Sequence, residues 1–125
     1  MAKDRYAEGL QIRREVVGEE TVDGWLADAD EFTGPLEEIT TEIGWGIIWS
    51  RPGLERKTRS LITIALLAAQ NRPVELEVHL RNAVNNGCSH EEIREALLHT
   101  AAYCGLPTAR GAVKLASQVL GGKQS

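Results

Sequence analysis

Apolar positions recur along this chain at helical spacing, and nowhere do they alternate as a half-buried strand requires. The pattern predicts an all-α protein. Tyr6, Leu10 and Val17 mark a first helix over Asp4 to Val17 that stops at Gly18, and a weaker helix covers Val22 to Glu31. In TGPLEEITTEIGWGIIW, Thr33 is placed to cap, Pro35 suits a first turn, and Leu36, Ile39 and Ile43 form a stripe. SRPG ends that helix, because Pro52 pushes Arg51 toward an extended conformation and Gly53 permits a sharp change of direction. This turn is expected to be a stiff hinge that aims the side chains around it.

From Glu55 to about Asn71 the pattern changes from polar ERKTRS to almost wholly apolar LITIALLAAQ, so the second half of this helix is expected in the core. Pro73 opens another helix, striped by Leu76, Leu80, Ala83 and Val84 and ended at Gly87. Ser89 and Glu92 have the spacing of a capping box, which starts a helix closed by Gly105, and Pro107 starts a last one that runs to Leu120. These seven segments are expected to fold as a single domain, residues 1–125.

At 125 residues and 13.7 kDa such a domain buries a core yet gains from a partner subunit. The net charge of -4 and the scattered basic residues disfavour nucleic acid as a partner. The run LITIALLAA is far too short to cross a bilayer, so no membrane is expected. The charged amino terminus has no apolar segment leading to a cleavage site, and the expectation is a cytoplasmic protein. Cys88 and Cys104 fit neither a CxxC pair nor a metal array and are expected as free thiols. The three histidines include no HExxH-like spacing, so no metal site is expected.

The densest chemistry lies in WGIIWSRPGLERKTRS, where Trp45 and Trp49 stand beside Arg51, Arg56, Lys57 and Arg59. Exposed tryptophan and buried guanidinium are both costly, so their pairing points to a pocket wall or an interface. Lys57 reads as part of a solvated face. Arg51, limited by its rigid turn, suits a bidentate grip on a carboxylate. Glu75 and His79 are four apart on one helix, which fits either an ordinary surface pair or a carboxylate that orients an imidazole for acid–base work. His79 borders the apolar stripe of its helix, where half-burial permits pKa tuning. His90 is expected in solvent and His99 in the core or an interface. No glycine-rich phosphate cradle, nucleophile elbow or kinase signature is present.

RYAEGLQIRREVVGEETV, WGIIWSRPGLERKTRSLITIALL, ELEVHLRNAVNNG and EEIREALLHTAAYCGLPTA together resemble the carboxymuconolactone decarboxylase family over almost the whole length. The resemblance implies a compact AhpD-like helical bundle of about six helices, assembled as a homotrimer or homohexamer with sites near subunit contacts, and no cofactor. It further implies decarboxylation of 4-carboxymuconolactone, a small lactone bearing two carboxylates, to the 3-oxoadipate enol-lactone in the β-ketoadipate (protocatechuate) pathway. Where the related peroxidases carry CxxCxxxH, this chain has Arg72, Glu75 and His79, so thiol peroxidase chemistry is not implied. Family decarboxylases usually read WGEVW; Ile47 replaces the acidic residue here, which bears on activity and substrate.

On this reading Arg51, with Arg56 or Arg59 and with Ser60 beside them, anchors carboxylate. Trp45 and Trp49 wall the pocket, and His79, oriented by Glu75, supplies a proton. Two competing readings use the same residues. One is a family enzyme acting on another carboxylated lactone-like compound; the other is a non-catalytic helical oligomer with its Trp and Arg residues at subunit contacts.

Overall fold

The computed structural model describes residues 4–121. Among these there are seven α-helices, a π-helical segment and no strand, where the apolar pattern named seven helical segments and the family resemblance implied about six. Contacts group the chain into two compact units, Met1–Leu54 and Glu55–Ser125, which meet in sequence just after the SRPG turn.

In the first unit, α1 (Arg5–Val17) is capped by the Asp4 carboxylate, which accepts from the Ala7 N–H, and ends at Gly18 in a positive-φ conformation. The Gly18 carbonyl accepts from the Val22 N–H at 3.1 Å, so α2 (Glu19–Asp28) starts at once, three residues before the predicted position. Thr33 occupies the N-cap position of the next helix, but its side chain makes no capping bond to that helix. Its hydroxyl accepts from the Asp30 N–H, while the Asp30 carboxylate takes the N–H groups of Phe32 and Thr33, making a closed turn just before the helix. The Asp30 carboxyl is accordingly held below the usual carboxylate range by these hydrogen bonds, those from Thr33 foremost.

Helix α3 (Gly34–Ile39) widens into a π-helical segment, Thr40–Ile48, closed by the Trp49 N–H on the Gly44 carbonyl at 3.0 Å. This segment lies on α1 at two glycines. A Cβ on Gly9 would overlap the Thr41 carbonyl, and one on Gly46 would overlap the Arg5 carbonyl, so the two backbones touch. Around the crossing, Ile12, Val16, Val17, Val22 and Trp45 form the core. Arg13 is buried there, donating to Glu37 at 2.9 Å and Thr41 at 3.1 Å with its guanidinium 5.4 Å from the Trp25 ring. The stripe of Leu36, Ile39 and Ile43 does not face this core and is exposed.

The second unit holds α4 (Arg56–Ala69), α5 (Pro73–Asn85), α6 (His90–Cys104) and α7 (Leu106–Val119). Its core unites Ile64 and Ala68 of α4, Leu76, Leu80 and Ala83 of α5, Ile93 and Leu97 of α6, and Ala112 and Ala116 of α7. Ile62, Leu66 and Val84 point outward, so the apolar halves of α4 and α5 are only partly core. The capping box of α6 is formed: Ser89 Oγ accepts from the Glu92 N–H at 3.0 Å and Glu92 Oε1 from the Ser89 N–H at 2.9 Å. Among the described residues no helix is long and apolar enough to cross a membrane.

Candidate active site

Helix α5 turns Leu76, Leu80 and Ala83 into the core of its unit, and the adjoining side carries His79, Asn82 and Asn86 at helical spacing. These three make a polar seam. His79 is half-buried and Asn82 is only 2% exposed. Asn82 Nδ2 stands 3.4 Å from His79 Nδ1, and Asn86 Nδ2 donates to Ser60 Oγ on α4 at 2.8 Å. Ser60 is itself buried, one turn beyond Arg56 and directly after Arg59, both of them half-buried near the start of α4. The second unit therefore brings His79, Ser60 and two of the predicted arginines onto its α4–α5 pair.

Burial pushes the His79 imidazole below its ordinary value near 6.5, because the charged form loses solvation. The Glu75 carboxylate, exposed one turn earlier, pulls the other way, and burial outweighs it. The depressed value favours the uncharged ring at neutral pH, and an uncharged ring offers a substrate a ring N–H or a lone pair.

Close by, Lys57 is not simply solvated. Its ammonium meets Glu92 at 2.9 Å, which ties the start of α4 to the start of α6, raises the Lys57 pKa and lowers that of Glu92. Cys88 Sγ donates to the Lys57 carbonyl at 3.4 Å, and burial pushes its thiol up, away from the reactive thiolate. Cys88 and Cys104 are both free thiols. Among the described residues no three His, Cys, Asp or Glu side chains are grouped so as to hold a metal ion.

The predicted Trp45, Trp49 and Arg51 belong to the first unit. Trp45 is 6% exposed and packs in the core with Ile12 and Val16, its ring 4.8 Å from that of half-buried Trp49. Arg51 is exposed, its N–H bonded to the Ile48 carbonyl, and the turn before it is pinned by Ser50 Oγ donating to the Gly46 carbonyl at 2.7 Å. Ile47 joins the exposed stripe of Ile39 and Ile43. His90 is exposed as expected. His99 is not in the core: α6 buries Ile93, Leu97 and Thr100, which leaves His99 on an exposed side against the Tyr103 ring at 5.4 Å.

Asn82 and Asn86 escape sequence reasoning because asparagine is common at helix ends, and NNG reads as a terminator. The available signal is their placement at three and seven residues beyond His79, beside an apolar stripe.

The carboxymuconolactone decarboxylase family profile matches residues 35–118. A nitrosuccinic acid decarboxylase of Metarhizium robertsii is 48% identical over 103 residues, spanning 82% of this chain and 72% of that protein. A 4-carboxymuconolactone decarboxylase of Acinetobacter baylyi is 43% identical over 117 residues, spanning 94% of this chain and 87% of that protein. An uncharacterized 15.0 kDa protein of Paracoccus denitrificans is 32% identical over 80 residues, 62% of this chain and 60% of that protein.

Proposed function

The chain belongs to the carboxymuconolactone decarboxylase family, and we propose that this carboxy-lyase converts 4-carboxymuconolactone to the 3-oxoadipate enol-lactone, with α5 and the start of α4 carrying the chemistry. The observation that carries this reading is the half-buried His79 in its polar seam, in a chain 43% identical over 94% of its length to a decarboxylase of that lactone.

The substrate supplies its own electron sink. As carbon dioxide leaves the ring carbon, the electron pair spreads through the adjacent double bond into the lactone carbonyl, and a proton from water then goes to the far carbon. What remains for the protein is positioning and electrostatics. Arg56 and Arg59 offer fork-shaped donors for the retained carboxylate. His79 faces the oxygen on which charge collects. Ser60, held by Asn86, keeps the wall between them polar and fixed. Burial favours these tasks, because a departing carboxylate that is poorly solvated gains by becoming a neutral gas.

A second substrate is supported by the 48% identity to a nitrosuccinic acid decarboxylase and by Ile47 in place of the usual acidic residue. A nitro group beside the departing carboxylate accepts the electron pair as a nitronate, so both substrates are small dianions that lose one carboxylate into a neighbouring oxyanion. Carbon dioxide release from 4-carboxymuconolactone and from nitrosuccinate, measured side by side, decides between them. His79→Ala is expected to lower turnover of the true substrate by about a hundredfold or more. Near-normal turnover in a folded His79→Ala protein removes the imidazole from the mechanism.

A further inference from the structure

We propose that Asn82 holds His79 as the neutral tautomer protonated on Nε2, so that the ring meets the substrate as an uncharged N–H donor. This rests on the reading that His79 faces the reacting molecule, and it adds which nitrogen bears the proton and which residue decides it.

A neutral imidazole has one donor nitrogen and one acceptor nitrogen. The Asn82 amide nitrogen has only hydrogens to offer, and it stands 3.4 Å from Nδ1 of His79. Nδ1 is then the acceptor, and the proton sits on Nε2. An imidazolium, or the opposite tautomer, would set an Nδ1–H against the amide hydrogens of Asn82. That opposition is not relieved by solvent, since Asn82 is 2% exposed. Asn82 lies three residues beyond His79 on the same helix, and Leu80 and Ala83 lock that helix into the core, so the amide and the ring stay adjacent. The burial that lowers the ring's affinity for a second proton acts in the same direction.

An uncharged donor has a chemical advantage with a dianionic substrate. An imidazolium would grip the carboxylates of the ground state as firmly as the oxyanion that forms later, which lowers KM without raising kcat. A neutral N–H aimed at the lactone or nitro oxygen strengthens its hydrogen bond chiefly as charge arrives there. Asn82 thereby acts as a positioning residue: it touches the imidazole, and the imidazole touches the substrate.

The experiment is heteronuclear NMR of histidine side-chain nitrogens in the full chain at neutral pH. His90→Gln and His99→Gln, both at exposed positions, assign the remaining signal to His79. The expected spectrum has a protonated Nε2 and a bare Nδ1. Asn82→Asp has nearly the same shape but presents only acceptor oxygens when ionised. When ionised it is expected to place a proton on Nδ1, as the other tautomer or as the imidazolium, and to lower kcat by at least about tenfold with KM unchanged or lower. A wild-type His79 protonated on Nδ1, or doubly protonated at neutral pH, overturns the inference without any variant having to fold. A folded Asn82→Asp protein with unchanged tautomer and unchanged kcat overturns it as well. If the expected tautomer is found but neither acid is decarboxylated, the assigned substrate fails and the tautomer stands. Turnover of either acid by a wild-type protein whose His79 carries the proton on Nδ1 upholds the substrate and overturns the role given to Asn82.

Discussion

At the residue scale the balance on His79 is between lost solvation and a nearby carboxylate. Burial disfavours the cation and the Glu75 charge favours it, with burial the larger cause. The imidazole is therefore expected to titrate below its ordinary value near 6.5 when ring shifts are followed against pH. Glu75→Gln removes the opposing charge and should move the midpoint lower still, by a modest amount because Glu75 is exposed and its field is screened. The sign for stability follows. With the folded value depressed, the unfolded chain takes up the proton first as pH falls through the ordinary range, so acid works against the folded state. An upward shift in Glu75→Gln would mean that the carboxylate does not act on the ring as a favourable charge.

Between elements, the tightest constraint is the crossing of α1 and the π-helical segment, where the backbones meet at Gly9 and Gly46. Gly46→Ala must push a methyl group into the Arg5 carbonyl and Gly9→Ala into the Thr41 carbonyl; neither obstacle is a side chain that can swing away. Each is expected to destabilise by about 1–3 kcal/mol or more in chemical denaturation. Gly24→Ala is the contrast, since nothing lies within 4 Å of the added atom inside α2, and it should be neutral or stabilising by up to about 1 kcal/mol. Equal effects at all three positions would refute the close crossing.

Much at this scale is legible in the sequence, for a local reason. Gly18, Gly87 and Gly105 end helices because each adopts positive φ, and Ser89 with Glu92 starts one because their hydrogen bonds lie within a single turn. What is not legible depends on partners distant in the chain. QIRREVV gives no sign that Arg13 is buried against Glu37 while its neighbour Arg14 pairs with Asp23 at the surface. The widening of the helix at Thr40 belongs to the same class, because it accompanies contact with α1. For the candidate site, helical spacing points to His79 but not to Asn82. Whether a helical asparagine faces water or an imidazole depends on how its helix is rotated against its neighbours.

For the molecule as a whole, the apolar stripe left outside the core is the most informative surface. Leu36, Ile39, Ile43 and Ile47 follow one another at helical spacing and are 65%, 55%, 49% and 38% exposed. Scattered exposed leucines need no explanation, but a continuous row along one helical face marks a surface built to be covered. Burial of such a row removes roughly 25 cal/mol of unfavourable hydration for each Å² of apolar area, enough to favour association when several copies each contribute one. The chain is therefore expected to sediment as a small multiple of 13.7 kDa at micromolar concentration, and the family resemblance makes that multiple a trimer or hexamer. Ile43→Glu adds a charge to the middle of the row beside Glu42, where desolvation and like-charge repulsion act together against the assembly. Because Ile43 already faces outward, this change should lower the sedimenting mass while leaving the helical circular dichroism intact. A wild-type protein that sediments at 13.7 kDa, or an Ile43→Glu protein of unaltered mass, would show that this row is not what joins the subunits.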